Sequence, residues 1–254
     1  MQIALITCTH LLKVYELNFM LRSITHSLKN LPAPFYTLIT PPISSILVSG
    51  TQFIFSTSDV LYSEESVKPQ LNSPAIFTLF HGHLPFLMAH HGMASDVRSL
   101  LVQSNPYMEP TVSWGKKMGL KIVRGGGKGD KPAMPILLEE LTKSNNSVVL
   151  AVDGPSGPRY KIKRGCVELA QKTGFPIIHT SYTCDRGLEF TGRWDHRLVP
   201  LPFGKITVRY HEPVFVAEDE IIDDVVRELE VKFLSCSFLH SIPFTTNSFL
   251  LKIT

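Results

Sequence analysis

Cysteine is scarce in this sequence. Its 254 residues include four cysteines, none of which is placed in a Cys-x-x-Cys pair: Cys8, Cys166, Cys184 and Cys236. This pattern disfavours both a structural zinc site and a disulfide-stapled secreted fold, and it favours a reducing compartment. Because 44% of the residues are apolar, we expect one sizeable core and a single domain with extensions.

Charged side chains are absent from residues 30–58. Four prolines interrupt this stretch: Pro32, Pro34, Pro41 and Pro42. The longest proline-free piece of helical character, residues 43–55, is too short to span a bilayer. Two interpretations stay open at this point, namely contact with a membrane surface and a buried helix joined to a proline-rich connector.

A secretion signal is also lacking. The apolar start, residues 1–9, has no basic region before it and is soon followed by Lys13, Glu16 and Arg22. We therefore expect a peripheral location on the cytoplasmic side of the membrane. We divide the chain into an N-terminal apolar, membrane-contacting segment (1–70), an α/β domain (71–216) and a C-terminal helix with a tail (217–254).

Basic residues are concentrated in the middle of the chain. Residues 116–164 hold eleven Lys and Arg against four Asp and Glu, while the whole chain has a net charge of +3. Few aromatic residues lie among these cations, so a nucleic-acid partner is disfavoured. The zone suits a phosphorylated small molecule or a lipid headgroup better, with ordinary solvated surface charge as the alternative.

Short β-branched or aromatic runs alternate with helical periodicity after Pro69. Strands are predicted at 75–80, 121–123, 148–152, 177–182 and 206–210. Amphipathic helices are predicted around Leu137 and Val167, the second ending at Gly174, and a last helix over 218–233. This order indicates an α/β fold with a mostly parallel or mixed central sheet flanked by helices, preceded by an apolar N-terminal helical extension.

Reactive side chains follow three of the predicted strands. His81 comes after the first strand, Arg124 after the second, and Asp153 and Arg159 after the third. Ligands of open α/β sheets bind beyond the carboxyl ends of the strands, so we expect these side chains to face one crevice. Gly154, Pro155, Gly157 and Pro158 restrict the backbone of the third loop, which suggests ligand binding.

His81 has the local setting of a general base. It lies in Phe-His-Gly-His-Leu-Pro-Phe, where apolar neighbours favour the neutral imidazole. The pair His81 and His83 also has a metal-ligand spacing, but only Asp153 is obviously placed to complete such a site. We therefore expect no metal, with a metal-dependent hydrolase as an open alternative.

Familiar phosphate-loop and hydrolase motifs are missing. Arg124 opens Arg-Gly-Gly-Gly-Lys-Gly-Asp-Lys, in which Lys128 and exposed amides could hold a phosphate, but the order of its glycines fits neither a P-loop nor a dinucleotide fingerprint. Ser156 does not lie in Gly-x-Ser-x-Gly, so a nucleophile elbow is excluded.

In their order, these motifs resemble the lysophospholipid and glycerol-phosphate acyltransferase superfamily, in particular a short bacterial branch of acyltransferase-like proteins. The resemblance spans about residues 45–216. Phe80-His81-Gly82 is similar to the branch's Trp-His-Gly, and the segment from Asp153 to Arg159 is similar to Asp-Gly-Pro-x-Gly-Pro-Arg. Further blocks occur in register: 119–125, 163–170, 173–178, Trp194-Asp195 and 200–203.

The resemblance implies an acyltransferase fold and transfer of a fatty acyl group to a hydroxyl of a lysophospholipid or related phosphorylated amphiphile. The donor would be acyl-CoA or acyl carrier protein, with no further cofactor. His81 would be the general base. Arg124 and Arg159, supplemented by Lys128 and Lys161, would bind phosphate, while Asp153 and Gly154 would shape the loop.

The chain departs from the wider superfamily at one position. That superfamily pairs its histidine with an acid five residues later, and here Phe86 occupies the position. Glu109 is the substitute that we predict, with Asp96 second. Without such an acid the alternative is a non-catalytic lipid- or phosphate-binding protein of the same fold.

Overall fold

A computed structural model of the chain describes residues 31–62, 74–91, 98–126, 129, 131–238 and 249–253. The β-branched runs form the strands of a seven-stranded sheet in the order β1-β9-β6-β2-β5-β3-β4. Its strands are β1 (Asp59–Tyr62), β2 (Ile76–Leu79), β3 (Arg98–Val102), β4 (Lys121–Arg124), β5 (Ser147–Ala151), β6 (Ile177–Cys184) and β9 (Lys205–Tyr210).

Parallel pairing dominates this sheet. Strands β4, β3, β5, β2 and β6 are all parallel, whereas β9 runs antiparallel to β6 and pairs in parallel with β1. The carboxyl ends of β2, β4 and β5 therefore lie along one edge, as predicted from the sequence. A second sheet contains β7 (Arg186–Phe190), β8 (Arg197–Pro200) and β10 (Phe249–Ile253) in the order β10-β7-β8.

Helices cover both faces of the large sheet: α1 (Ala33–Ser56), α2 (Leu84–His91), α3 (Glu109–Lys117), α4 (Ala133–Thr142), α5 (Gly165–Thr173) and α6 (Ile222–Phe238). Alternate residues of β2 explain this layering, because Phe77 and Leu79 pack in one apolar cluster while Ile76 packs in the other. The fold is thus the predicted α/β architecture with an apolar N-terminal helix.

Helix α1 differs from the sequence-based expectation. It continues through Pro41 and Pro42 as one helix of 24 residues, whereas the prolines were expected to leave only 43–55 as a candidate helix. Each proline removes one backbone donor, but packing against α3 holds the helix together, and Lys117 of α3 donates a hydrogen bond to Ser44 over 2.9 Å. By length and composition alone α1 could cross a membrane.

The C-terminal region also differs. Residues after Leu234 have neither helical nor strand periodicity in the sequence, yet α6 extends to Phe238 and residues 249–253 form β10, which pairs in parallel with β7. Tertiary pairing with β7 decides the structure of residues 249–253, where local propensity is weak.

Gly174 ends α5 in the left-handed conformation (φ 68°), as its position predicted.

Candidate active site

His81 lies at the carboxyl end of β2, in the first turn of a short 3₁₀ helix (His81–His83). Its side chain is 16% exposed, so a small part of the imidazole surface is accessible. The ring of Trp194 covers it, with ring centroids 5.0 Å apart. The imidazole therefore lies at the edge of the sheet formed by the carboxyl ends of the parallel strands, where the sequence predicted a crevice.

The carboxylate that contacts His81 belongs to Asp195. Asp195 Oδ2 lies 2.8 Å from Nδ1 of His81, and the Asp195 side chain is fully buried. Burial by itself would raise the pKa of Asp195, but hydrogen bonds from His81 and Arg193 and the positive charges of Arg197 and Arg193 outweigh it, so the pKa lies well below its ordinary value. The ionised carboxylate accepts a hydrogen bond from Nδ1–H, so the lone pair of the neutral ring lies on Nε2.

Two glycines allow the loop that carries Asp195 to approach His81. A side chain at Gly82 would meet the backbone oxygen of Asp195 at 2.4 Å, and one at Gly157 would meet the ring of Trp194 at 2.5 Å. Gly157 also has a left-handed backbone (φ 68°) and precedes a cis peptide bond to Pro158. The loop after β5 and the loop before β8 therefore pack together around the 3₁₀ helix.

Asp153 organises the backbone of the same site. Its Oδ1 accepts a hydrogen bond from the amide of His81 (2.8 Å) and its Oδ2 accepts one from the amide of Tyr160 (3.4 Å). Burial raises the pKa of Asp153, and the hydrogen bond from His81 opposes that rise. The sequence suggested that Asp153 supports Arg159 or the loop amides, and the contacts found are with amides.

Arg159 retains unused hydrogen-bonding capacity. Its guanidinium stacks on the ring of Tyr160 at 4.2 Å, and its nearest carboxylate, that of Glu189, is 3.7 Å away. Its Nε is buried and has no partner within the described part of the chain. A guanidinium held in this way can bind an oxyanion without losing a close ion pair.

Glu109 does not contact His81. Its carboxylate pairs with Nη2 of Arg124 at 2.5 Å, and Nη1 of Arg124 donates to the carbonyl of Gln103 at 2.9 Å. The expectation that Glu109 would be the acid beside His81 is therefore corrected, because α3 carries it to the end of β4. Three strand spacings, about 14 Å, separate β4 from β2 across the sheet.

The remaining predicted residues are dispersed. Lys161 pairs with Glu230 of α6 at 3.0 Å, and Gly154 adopts a left-handed conformation (φ 71°) that the turn after β5 requires. Lys128 and Asp96 lie outside the described residues. Phosphate binding by Arg124, Lys128 and Lys161 stays a prediction.

His83 is set apart from this chemistry by its lowered pKa. Burial and the nearby charge of Arg159 lower its pKa to about 4, so the ring is neutral near pH 7. Within the described residues no group of three or more His, Cys, Asp or Glu side chains is arranged to hold a metal ion. The thiols of Cys166 and Cys184 are also poor nucleophiles, because burial raises both pKa values to about 12.

Sequence reasoning alone missed three site residues, namely Arg193, Asp195 and Arg197. Trp194-Asp195 is visible as a block, but 114 residues separate Asp195 from His81. Arg193 Nε donates to Oδ1 of Asp195 (2.9 Å), and Arg197 Nη2 donates to Oδ2 (3.0 Å). The position of Asp195 in a recognisable block was the one available signal.

Comparison with known proteins gives distant similarity. No family model matches the chain. The uncharacterized protein RP090 of Rickettsia prowazekii (strain Madrid E) is 25% identical over 203 residues, which cover 76% of this chain and 89% of that protein. Among solved structures, the crystal structure of the 1-acyl-sn-glycerophosphate (LPA) acyltransferase PlsC from Thermotoga maritima aligns with a TM-score of 0.47 and 20% identity, covering 85% of this chain and 88% of that one. At these levels activity and substrate depend on individual side chains around His81.

Proposed function

We propose that the protein is an acyltransferase that moves a fatty acyl group from acyl-CoA or acyl carrier protein to a hydroxyl of a lysophospholipid or related phosphorylated amphiphile. The observation that carries this proposal is the 2.8 Å contact between Nδ1 of His81 and the buried carboxylate of Asp195. A buried acid that fixes the tautomer of a partly exposed histidine is the arrangement of a general base.

In the proposed reaction, Nε2 of His81 takes the proton of the acceptor hydroxyl as its oxygen attacks the thioester carbonyl. The tetrahedral intermediate then collapses, the carbon–sulfur bond breaks, and the thiolate leaves with the proton from His81. The products are an ester and a free thiol, so atoms and charge balance. Asp195 stays ionised throughout and stabilises the imidazolium that forms in between.

Arg159 is the proposed binding group for the acceptor's phosphate. It lies in the loop after β5, the strand that pairs directly with β2, and its buried Nε has no partner among the described residues. Fixing the phosphate would hold the reacting hydroxyl near the imidazole and so reduce the entropy lost in the transition state. Arg124 of β4, which lies three positions from β2 in the sheet, is paired with Glu109 and would act at a more distant part of the ligand.

The direct test is a transfer assay. Purified protein is incubated with radiolabelled palmitoyl-CoA or palmitoyl-acyl carrier protein and with lysophosphatidate, and lipid products are separated while thiol release is followed. We expect labelled ester and free thiol in equal amounts, with monoacylglycerol as a poorer acceptor because it lacks the phosphate. Lipid binding without thiol release from either donor would contradict the proposal and favour the non-catalytic alternative.

A membrane surface is the proposed source of the lipid. We call the exposed side chains Phe35, Leu38, Ile46 and Phe53 of α1, together with Phe203, the apolar face. Spacings of 11 and 7 residues bring Phe35, Ile46 and Phe53 to one side of the helix, and the ring of Phe53 touches that of Phe203 at 5.9 Å. Such a face suits peripheral insertion at the boundary between headgroups and acyl chains.

Replacing Leu38 and Ile46 by glutamate is expected to lower the partition coefficient onto anionic liposomes at least about tenfold, because two exposed apolar side chains of the proposed inserting face become charged. Flotation at low salt measures it. The matched control is Ile221→Glu with Val231→Glu, which changes two equally exposed apolar side chains outside the apolar face. Equal flotation of both double variants would contradict the proposed surface.

A further inference from the structure

The carboxylate of Asp195 is shared by two arginines. Arg193 contacts it through Nε at 2.9 Å and Nη2 at 3.3 Å, and Arg197 contacts it through Nη2 at 3.0 Å. One buried negative charge therefore faces two guanidinium groups. The other nearby acids are engaged elsewhere, because Asp153 accepts from backbone amides and Glu189 faces Arg159 and His196.

The two arginines line the accessible side of this cluster. Asp195 has no exposed side-chain surface, whereas the side chains of Arg193 and Arg197 are 45% and 30% exposed. The two guanidinium groups also repel each other. Burial lowers the pKa of Arg197 most, the charge of Arg193 lowers it further, and Asp195 raises it by a smaller amount. Two partly exposed positive charges thus lie beside one buried acid.

Arg197 has hydrogen-bond donors to spare. Its Nε is buried and has no partner within the described residues, and a guanidinium carries five donors in all. A buried donor without a partner costs free energy, which an incoming acceptor would recover. Arg197 Nη2 also lies 3.3 Å from Nδ1 of His81, and since both atoms are donors this is a contact, not a hydrogen bond.

We infer that Arg193 and Arg197 form a binding site for a phosphate group beside His81. A tetrahedral oxyanion suits two guanidinium groups that share one carboxylate, because its oxygens can accept the donors that Asp195 leaves unused. The phosphate belongs either to the acceptor amphiphile or to the thioester donor. The identity of the molecule that carries the phosphate rests on the proposed function, whereas the binding of a phosphate by these arginines does not.

A binding measurement in the absence of acyl transfer tests this inference. Calorimetric titration of the full chain uses three probes: CoA in solution, lysophosphatidate in neutral detergent micelles, and monoacylglycerol in the same micelles. We expect Arg193→Gln and Arg197→Gln each to weaken binding of a phosphate-bearing probe about tenfold or more, with monoacylglycerol unaffected. Loss confined to CoA identifies the donor's phosphate, and loss confined to lysophosphatidate identifies the acceptor's.

Arg227→Gln is the matched control, since Arg227 is exposed on α6 and pairs with Asp224 three residues away in the same helix. Because Arg197→Gln removes a partner of the buried Asp195, the melting temperature of each variant is recorded. If that of Arg197→Gln falls, the single variants Arg193→Gln and Arg197→Lys decide the outcome. Failure of the unchanged protein to bind either phosphate probe, or equal binding by the site variants and the control, would overturn the inference. A protein that binds phosphate through these arginines but transfers no acyl group would refute only the proposed function.

Discussion

Replacement of His81 by alanine is expected to lower kcat for acyl transfer by about 10²- to 10⁴-fold, because the variant has no group to take the hydroxyl proton. The imidazole of His81 lies at the end of β2 with its side chain 16% exposed, whereas desolvation and the charge of Arg159 lower the pKa of His83 to about 4. Thiol release from palmitoyl-CoA, measured under saturating acceptor, gives kcat directly.

The accompanying control is ligand binding. Arg159, Arg193 and Arg197 keep their side chains in the His81→Ala variant, so lysophosphatidate should bind with little change while transfer is lost. A structural role for His81 would instead lower the melting temperature and binding together. Transfer within threefold of the unchanged protein would show that His81 is not the base.

Asp195→Asn is expected to lower kcat by about 10²- to 10⁴-fold. The asparagine amide can offer its NH₂ group to Nδ1, which moves the ring proton to Nε2 and removes the lone pair that accepts the substrate proton. Asp195 touches His81 and not the reacting atoms, so it is a positioning residue. The ¹⁵N chemical shifts of the His81 ring distinguish the two tautomers and thereby test the mechanism separately from the rate.

Stability has to be separated from this kinetic effect. Asp195→Asn also removes the counter-charge of Arg193 and Arg197, and because those side chains are partly exposed we expect a loss of about 1–3 kcal/mol in the free energy of unfolding. Rates are therefore compared well below the melting temperature. Asp223→Asn, which alters an exposed acid paired with Arg164, is the matched control. An unchanged tautomer and rate in Asp195→Asn would refute the positioning role.

The intact pair of His81 and Asp195 bears on the non-catalytic alternative. That alternative arises because Phe86 stands where the superfamily that the sequence resembles has its acid, so the sequence offers no local partner for the imidazole. With a buried carboxylate at 2.8 Å, the imidazole has the orientation that a base requires. The missing local acid is thus no longer a reason to expect an inactive protein.

Much of the fold could be predicted because its signals are local. The runs that became β2, β4, β5, β6 and β9 are β-branched or aromatic and short, and Gly174 marks the end of α5. Strands β1, β3, β7, β8 and β10 were not predicted. Distant partners pair with β1, β3 and β10, whereas β7 and β8 pair with each other across residues 191–196. The two prolines in α1 gave a misleading local signal, because packing against α3 outweighs the hydrogen bonds they remove.

The sequence by itself determined that His81, Asp153 and Arg159 lie at one edge of the sheet, since each follows a strand and parallel strands bring their carboxyl ends together. Only the tertiary structure decided which acid serves His81. Glu109 is nearer in sequence, but α3 carries it to Arg124, whereas the loop before β8 folds back over Gly82 and Gly157 and buries Asp195 against the imidazole. A contact across 114 residues depends on how two sheets pack, and no periodicity within a segment encodes that.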